Sequence, residues 1–293
     1  MKLCIFGNKT TTKELLVELI HSKKKVTNIV TLSPKDAKDA KISGQDEALI
    51  EFAKSKAIEV FNPDNYSLKS NRDITFFQEQ RFDIGLCTGW QRIIPKPIID
   101  SFKHGIYGWH GSGFEFPNGR GRSPLNWSLR LGLEKIYHNL FRYAYSADDG
   151  MVFETEIIHI DKKDYISDLQ KKALQHIKQS SLRLLNAINK GPLKLTEQLN
   201  HPFLSFPTLN ETSGKLNPEI MGCQQALNII RSCSRPFPGA FIVQDSKIFR
   251  IWKASSEILS TRNRKGCFIL NDKLVIQFKD GQILSEDFEI SKS

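Results

Sequence analysis

Apolar, strand-like residues run from Gly105 into His110, and four glycines (Gly111, Gly113, Gly119, Gly121) then keep the chain out of regular structure as far as Pro124. Proline has a fixed φ that suits the first turn of a helix, so a helix is expected to start there. A strand that delivers a proton-transferring side chain to the head of a glycine-rich loop is how α/β enzymes place chemistry at the carboxyl edge of a sheet. A plain corner between two elements needs far fewer special residues than this stretch of 105–127 carries.

The flanking sequence supports such a sheet. Residues 2–7 read as a buried strand ending in Gly7, followed by a helix over 13–22 with Leu15, Leu16, Leu19 and Ile20 on one face. Further strands are expected at 26–32, 58–61, 82–87, 140–145 and 151–160, and helical periodicity at 45–56, 98–102 and 126–133. Residues 33–44, with Lys35, Lys38 and Lys41, read as a polar surface loop, and 164–189 as a long amphipathic helix. Strands alternating with helices predict a Rossmann-like, mostly parallel sheet with helices on both faces. Gly7 stands alone, without the further glycines of a dinucleotide fingerprint, so it reads as an ordinary strand-to-helix turn. After a Pro-, Asn- and Ser-rich stretch and a helix at 221–232, short alternating strands with turn signals fill 240–290, which predicts a small C-terminal β-barrel of OB type. The expected domains are therefore 1–190, a linker at 191–218, and 219–293.

With 293 residues, 40% of them apolar, the chain can bury a substantial core. It has no apolar run of membrane-spanning length and no signal-peptide pattern at MKLCIFGNK, so no membrane association is expected. The five cysteines share no metal-ligand spacing and read as reduced thiols, hence a cytoplasmic protein without a metal site. The net charge of +10 favours anionic partners: nucleic acid, a nucleotide-linked substrate or a polyglutamated cofactor.

Three stretches in order resemble the 10-formyltetrahydrofolate-dependent formyltransferase family. His110, Ser112, Pro117, Arg120, Gly121 and Pro124 match its H-x-S and P-x-x-R-G-x-x-P signature, Ala147-Asp148-Asp149-Gly150 its aspartate loop, and Arg231 with Arg235–Phe241 the junction into its C-terminal barrel. Two departures stand out. Gly108 occupies the place of the family's asparagine, whose amide helps polarise the formyl oxygen, and the spacing from His110 to Pro117 is two residues longer than usual.

The resemblance implies transfer of a formyl group from 10-formyltetrahydrofolate, as co-substrate, to an amine. His110 is expected to move the proton, because an imidazole titrates near working pH, and Asp148 to orient the ring and stabilise its charged form. Asn118, carried in by the longer loop, is the candidate to replace the missing amide. Trp90, Gln91, Arg92 and Ile93, together with Asp148, are expected to frame the folate, and Ser112, Phe114, Phe116 and Arg120 to meet the acceptor. The acceptor expected is an amino sugar linked to a nucleotide, as in the making of surface glycans. The alternatives are the methionyl group of initiator tRNA and, in another class, a folate-binding module without catalysis. The barrel is left to bind acceptor, to form a homodimer contact, or to stabilise the catalytic domain.

Overall fold

The structure, a computed structural model, describes residues 1–40, 42, 44–257 and 266–292. Its strands are β1 (Leu3–Phe6), β2 (Val26–Val30), β3 (Glu59–Phe61), β4 (Ile84–Cys87), β5 (Ile106–Ser112), β6 (Arg120–Gly121), β7 (Lys135–Arg142), β8 (Val152–His159), β9 (Ser205–Phe206), β10 (Ala240–Gln244), β11 (Lys247–Glu257), β12 (Cys267–Leu270), β13 (Lys273–Phe278) and β14 (Gly281–Lys292). Its helices are α1 (Thr10–His21), α2 (Pro34–Asp39), α3 (Leu49–Ser55), α4 (Asn71–Gln80), α5 (Lys96–Ile99), α6 (Pro124–Arg130), α7 (Ile166–Ile188) and α8 (Cys223–Cys233).

The chain divides into two compact units, one of residues 1–110, 138–156 and 173–202, the other of 111–137, 157–172 and 203–293. The large sheet has the order β3-β2-β1-β4-β5-β7-β8, and its pairs from β3 through β5 are parallel. The order reverses between β1 and β4, which places a crevice outside their carboxyl ends. Within the first unit the sheet is covered on both faces. One face packs Leu15, Leu16 and Leu19 of α1 and Leu184, Leu185 and Ile188 of α7 against Leu3, Ile5, Ile29 and Leu86. The other is aromatic: Phe77 has no exposed surface and meets the rings of Phe6, Phe61, Phe82 and Phe102 at centroid distances of 5.5–6.2 Å. In the second unit, β10-β11-β14-β13-β12 form an antiparallel sheet that curls into the small barrel, with α8 packing Ala226, Ile229 and Ile230 into its core.

Two local expectations need correction. Residues 33–44 are not simply a loop: Ser33 caps α2 by accepting the Asp36 N–H at 3.2 Å, and Pro34 starts the helix. Lys41 lies outside the described residues, as do residues 258–265 of the stretch read as alternating strands. Helix α4 had no counterpart in the sequence reading. Its Asn, Arg, Asp, Thr, Gln and Glu residues give a weak helical signal, and the burial of Phe77 together with the Ser70 cap on Asp73 makes the helix. All five cysteines are free, no described helix is long and apolar enough to cross a membrane, and the described residues hold no group of three or more metal-binding side chains.

Candidate active site

His110 lies towards the carboxyl end of β5 and is 6% exposed. A parallel sheet offers its strand ends to ligands while the strands themselves stay buried, which is why a single ring can be both enclosed and addressable. Its Nδ1 stands 3.5 Å from Oδ1 of Asp148. That is close enough for a charged pair once the ring is protonated, and longer than a well-formed hydrogen bond. Behind it, the Asn139 amide donates to the His110 carbonyl at 3.4 Å, and the Thr155 hydroxyl donates to the Asn139 oxygen at 2.7 Å, so the strand under the imidazole is braced from β7 and β8.

The Asp148 loop is built by two constraints. Asp148 has φ of +53°, a left-handed conformation that aspartate tolerates better than bulkier residues. Gly150 sits against the Arg142 carbonyl so closely that a Cβ would overlap it, and no other residue fits there. Gln198 then fastens the loop, donating from Nε2 to the carbonyls of Asp148 at 3.0 Å and Gly150 at 2.8 Å. Gln198 falls in the stretch read as linker, where Leu193 and Leu195 also pack onto the sheet core.

The segment expected to frame the folate follows β4. Trp90 is 7% exposed and crosses Tyr66 edge-on, with centroids 4.7 Å apart. The Gln91 N–H donates to the Tyr66 hydroxyl at 2.7 Å, and the Arg92 guanidinium lies over the Tyr66 ring at 4.9 Å. Ile93 is exposed. Flat aromatic walls with a few polar groups suit a pterin. The buried Trp90 Nε1 has no acceptor among the described residues, which leaves a hydrogen-bond donor for a heterocycle. Tyr66 organises the whole segment, and sequence reasoning passed over it because a lone tyrosine in a loop carries no pattern.

The residues expected to meet the acceptor lie in the second unit and brace one another. The buried Ser112 hydroxyl accepts the Phe114 N–H at 3.2 Å. The Asn118 amide oxygen accepts the Leu204 N–H at 2.9 Å, so this side chain holds the 203–206 segment beside its own loop. Strand β6 pairs with β9, Arg120 stacks over Phe203 at 4.5 Å, and the Phe114 ring lies 5.9 Å from Phe206. Phe116 is half-buried, ahead of Pro117. Pro124 does begin α6.

Gly108 has a second meaning in three dimensions. A Cβ placed on it would run into the Tyr143 ring, with Cζ 2.6 Å away and the hydroxyl oxygen and Cε1 closer still. Tyr143 thus occupies the room that a side chain at 108 would need. Sequence reasoning missed it, since an aromatic residue at the end of a strand reads as core.

Comparison with known proteins agrees with this architecture. The formyl transferase family profile matches residues 1–184. The methionyl-tRNA formyltransferase of Bradyrhizobium sp. is 22% identical over 285 residues, covering 97% of this chain and 89% of its own. Among solved structures, an N-formyltransferase from Helicobacter canadensis, in complex with folinic acid and dTDP-3-aminofucose, superposes with a TM-score of 0.68 at 15% identity over 99% of this chain and all of its own. HypX from Aquifex aeolicus gives 0.69 at 15% identity over 98% of this chain, which spans 44% of that longer protein. With more than half of its length matched by the family profile, the chain belongs to the formyl transferase family and is by class an N-formyltransferase.

Proposed function

We propose that the enzyme moves a formyl group from 10-formyltetrahydrofolate to the amine of a nucleotide-linked amino sugar. The observation that carries formyl transfer is the His110–Asp148 pair at 3.5 Å, at the carboxyl edge of the sheet, where the parallel neighbour β4 leads into the Trp90 segment. His110 takes the proton that the attacking nitrogen must shed and returns it to the leaving nitrogen. Asp148 stabilises the imidazolium between those two events. The aromatic Trp90 and Tyr66 and the buried Trp90 N–H are the groups that a pterin can use.

For the acceptor, the sugar reading is supported by full-length fold likeness to a sugar 3N-formyl transferase solved with dTDP and 5-N-formyl-THF, which covers 98% of this chain and 97% of its own, together with the departures of this chain at Gly108 and in the lengthened loop before Pro117. A second reading, initiator tRNA, is favoured by the net charge of +10 and by relatives such as the Bradyrhizobium enzyme.

Release of tetrahydrofolate from 10-formyltetrahydrofolate, measured with a panel of dTDP- and UDP-linked amino sugars and with methionyl-tRNA, tests both. Turnover with a sugar alone supports the proposal, turnover with the tRNA alone replaces it, and turnover with neither removes the enzyme reading of this site. Salt adds a second readout, because a tRNA held by many phosphate contacts loses affinity steeply between low and physiological salt, and a nucleotide sugar does not.

A further inference from the structure

Acyl transfer develops negative charge on the carbonyl oxygen, and a buried donor aimed at that oxygen is usually the largest single contribution to rate. The backbone at Gly108 supplies no side chain for this. Residues 108 and 110 lie two apart on β5, so their side-chain directions share one face of the sheet, about 7 Å apart along the strand. The volume on that face at 108 is filled by the Tyr143 hydroxyl end, as the overlap with a built Cβ shows. An asparagine amide nitrogen also lies only two bonds from its Cβ, so the phenol oxygen falls where such an amide would.

Resting on the formyl-transfer reading above, we propose that the Tyr143 hydroxyl is the donor that polarises the formyl oxygen and holds its charge in the transition state. Three further observations place it for this work. The Tyr143 N–H donates to the Ile106 carbonyl at 2.7 Å, which fixes the residue beside β5. The residue is half-buried overall while its hydroxyl end is enclosed, in hydrogen-bond contact with the Cys87 thiol at the end of β4 and within the field of Asp148. Burial, with Cys87 and Asp148 adding to it, pushes the phenol well above its ordinary pKa, and burial pushes the Cys87 thiol up to about 12. Both groups therefore keep their hydrogens. The phenol O–H donates to the Cys87 sulfur, a weak acceptor, and turns from it to the formyl oxygen when substrate is bound.

The step balances. The acceptor nitrogen forms a bond to the formyl carbon, and the carbonyl π pair moves onto the oxygen, which accepts the Tyr143 hydrogen bond. His110 takes a proton from that nitrogen. The pair then re-forms the carbonyl, the bond from carbon to the folate nitrogen breaks, and His110 gives its proton to the leaving nitrogen. Tyr143 stays protonated throughout, and the ring of His110 ends neutral.

Tyr143→Phe keeps the ring and removes only the donor. With 10-formyltetrahydrofolate and dTDP-3-aminofucose, or whichever acceptor of the panel the unaltered chain uses, kcat should fall about 10²- to 10³-fold. Tetrahydrofolate affinity and thermal midpoint should stay near the unaltered values, because the packing is kept. Gly108→Ala keeps the hydroxyl but forces it aside, should lose at least tenfold in kcat, and carries the test if the first variant does not fold. If His110→Ala abolishes turnover while Tyr143→Phe stays within about threefold, Tyr143 is only a filler and the inference is overturned with formyl transfer intact. If the unaltered chain transfers to no acceptor, both fall together.

Discussion

The first unit holds two histidine–carboxylate clusters, and they are built to opposite ends. At the sheet edge, His110 and Asp148 stand 3.5 Å apart, with a phenol and a thiol close by. Under α7, His176 has no exposed side chain and meets Glu154 at 3.0 Å through Nε2 and His138 at 2.6 Å through Nδ1, and Arg183 closes on Glu154 at 2.7 Å. One of those two Nδ1 atoms must carry the hydrogen and the other accept it. Burial, with His176 and His110 adding to it, pushes the His138 imidazole well below its usual range, so His138 is neutral. Burial alone would raise the Glu154 carboxyl, yet the hydrogen bonds from His176 and Arg183 outweigh it and hold the group at about 2. The second cluster is saturated, with each charge answered and the rings locked. The first pair is set wider, at 3.5 Å against 3.0 Å for His176 and Glu154. The same residue types make a tight brace in one place and a wider pair at the sheet edge in the other, and the difference lies in spacing and position.

Substitutions can break this contrast. The largest effect should be on turnover: His110→Ala lowers kcat about 10²- to 10⁴-fold, while His176→Ala stays within about threefold, measured as tetrahydrofolate release. Equal losses would mean the two histidines work as one relay. On stability the order reverses. His176→Ala strips the buried His138 of its partner and should cost about 1–3 kcal/mol in urea unfolding, whereas His110→Ala should cost less.

A subtler test uses acid. Because the Glu154 carboxyl titrates lower in the folded chain than its ordinary 4.5, it contributes stability that is present above that value and lost as pH falls towards about 2. Glu154→Gln should remove this acid-dependent part of the unfolding free energy and leave the rest of the profile in place. The smallest effect sharpens the open cluster from within. Cys87→Ala should change turnover only a few-fold, since a thiol sulfur is a weak acceptor, and the unaltered Cys87 should resist alkylation because burial keeps it protonated.

The sequence made the frame legible where physics is local. Alternating apolar runs announced the strands around His110, and the glycines after it announced the loop. His110 and Asp148 could be picked out because their residue types suit proton transfer and their spacing matched a known family. What stayed hidden depends on packing across distance. Helix α4 forms because Phe77 enters a cage of rings, which its polar neighbours do not betray. Tyr143 and Tyr66 look like ordinary aromatics until the fold sets their hydroxyls beside Gly108 and Gln91. The glycine at 108 was the one clue available, since an absent side chain two residues before His110 leaves space for something else to enter.

The two hydrogen bonds from Gln198 carry a practical consequence for anyone trimming this enzyme. The family profile stops at residue 184, and a fragment cut there would keep every residue of the histidine–aspartate pair. It would lose the clasp on the carbonyls that set the aspartate's turn. A minimal catalytic piece has to run past residue 198, to keep both this clasp and the residues Leu185, Ile188, Leu193 and Leu195 that cover the sheet core.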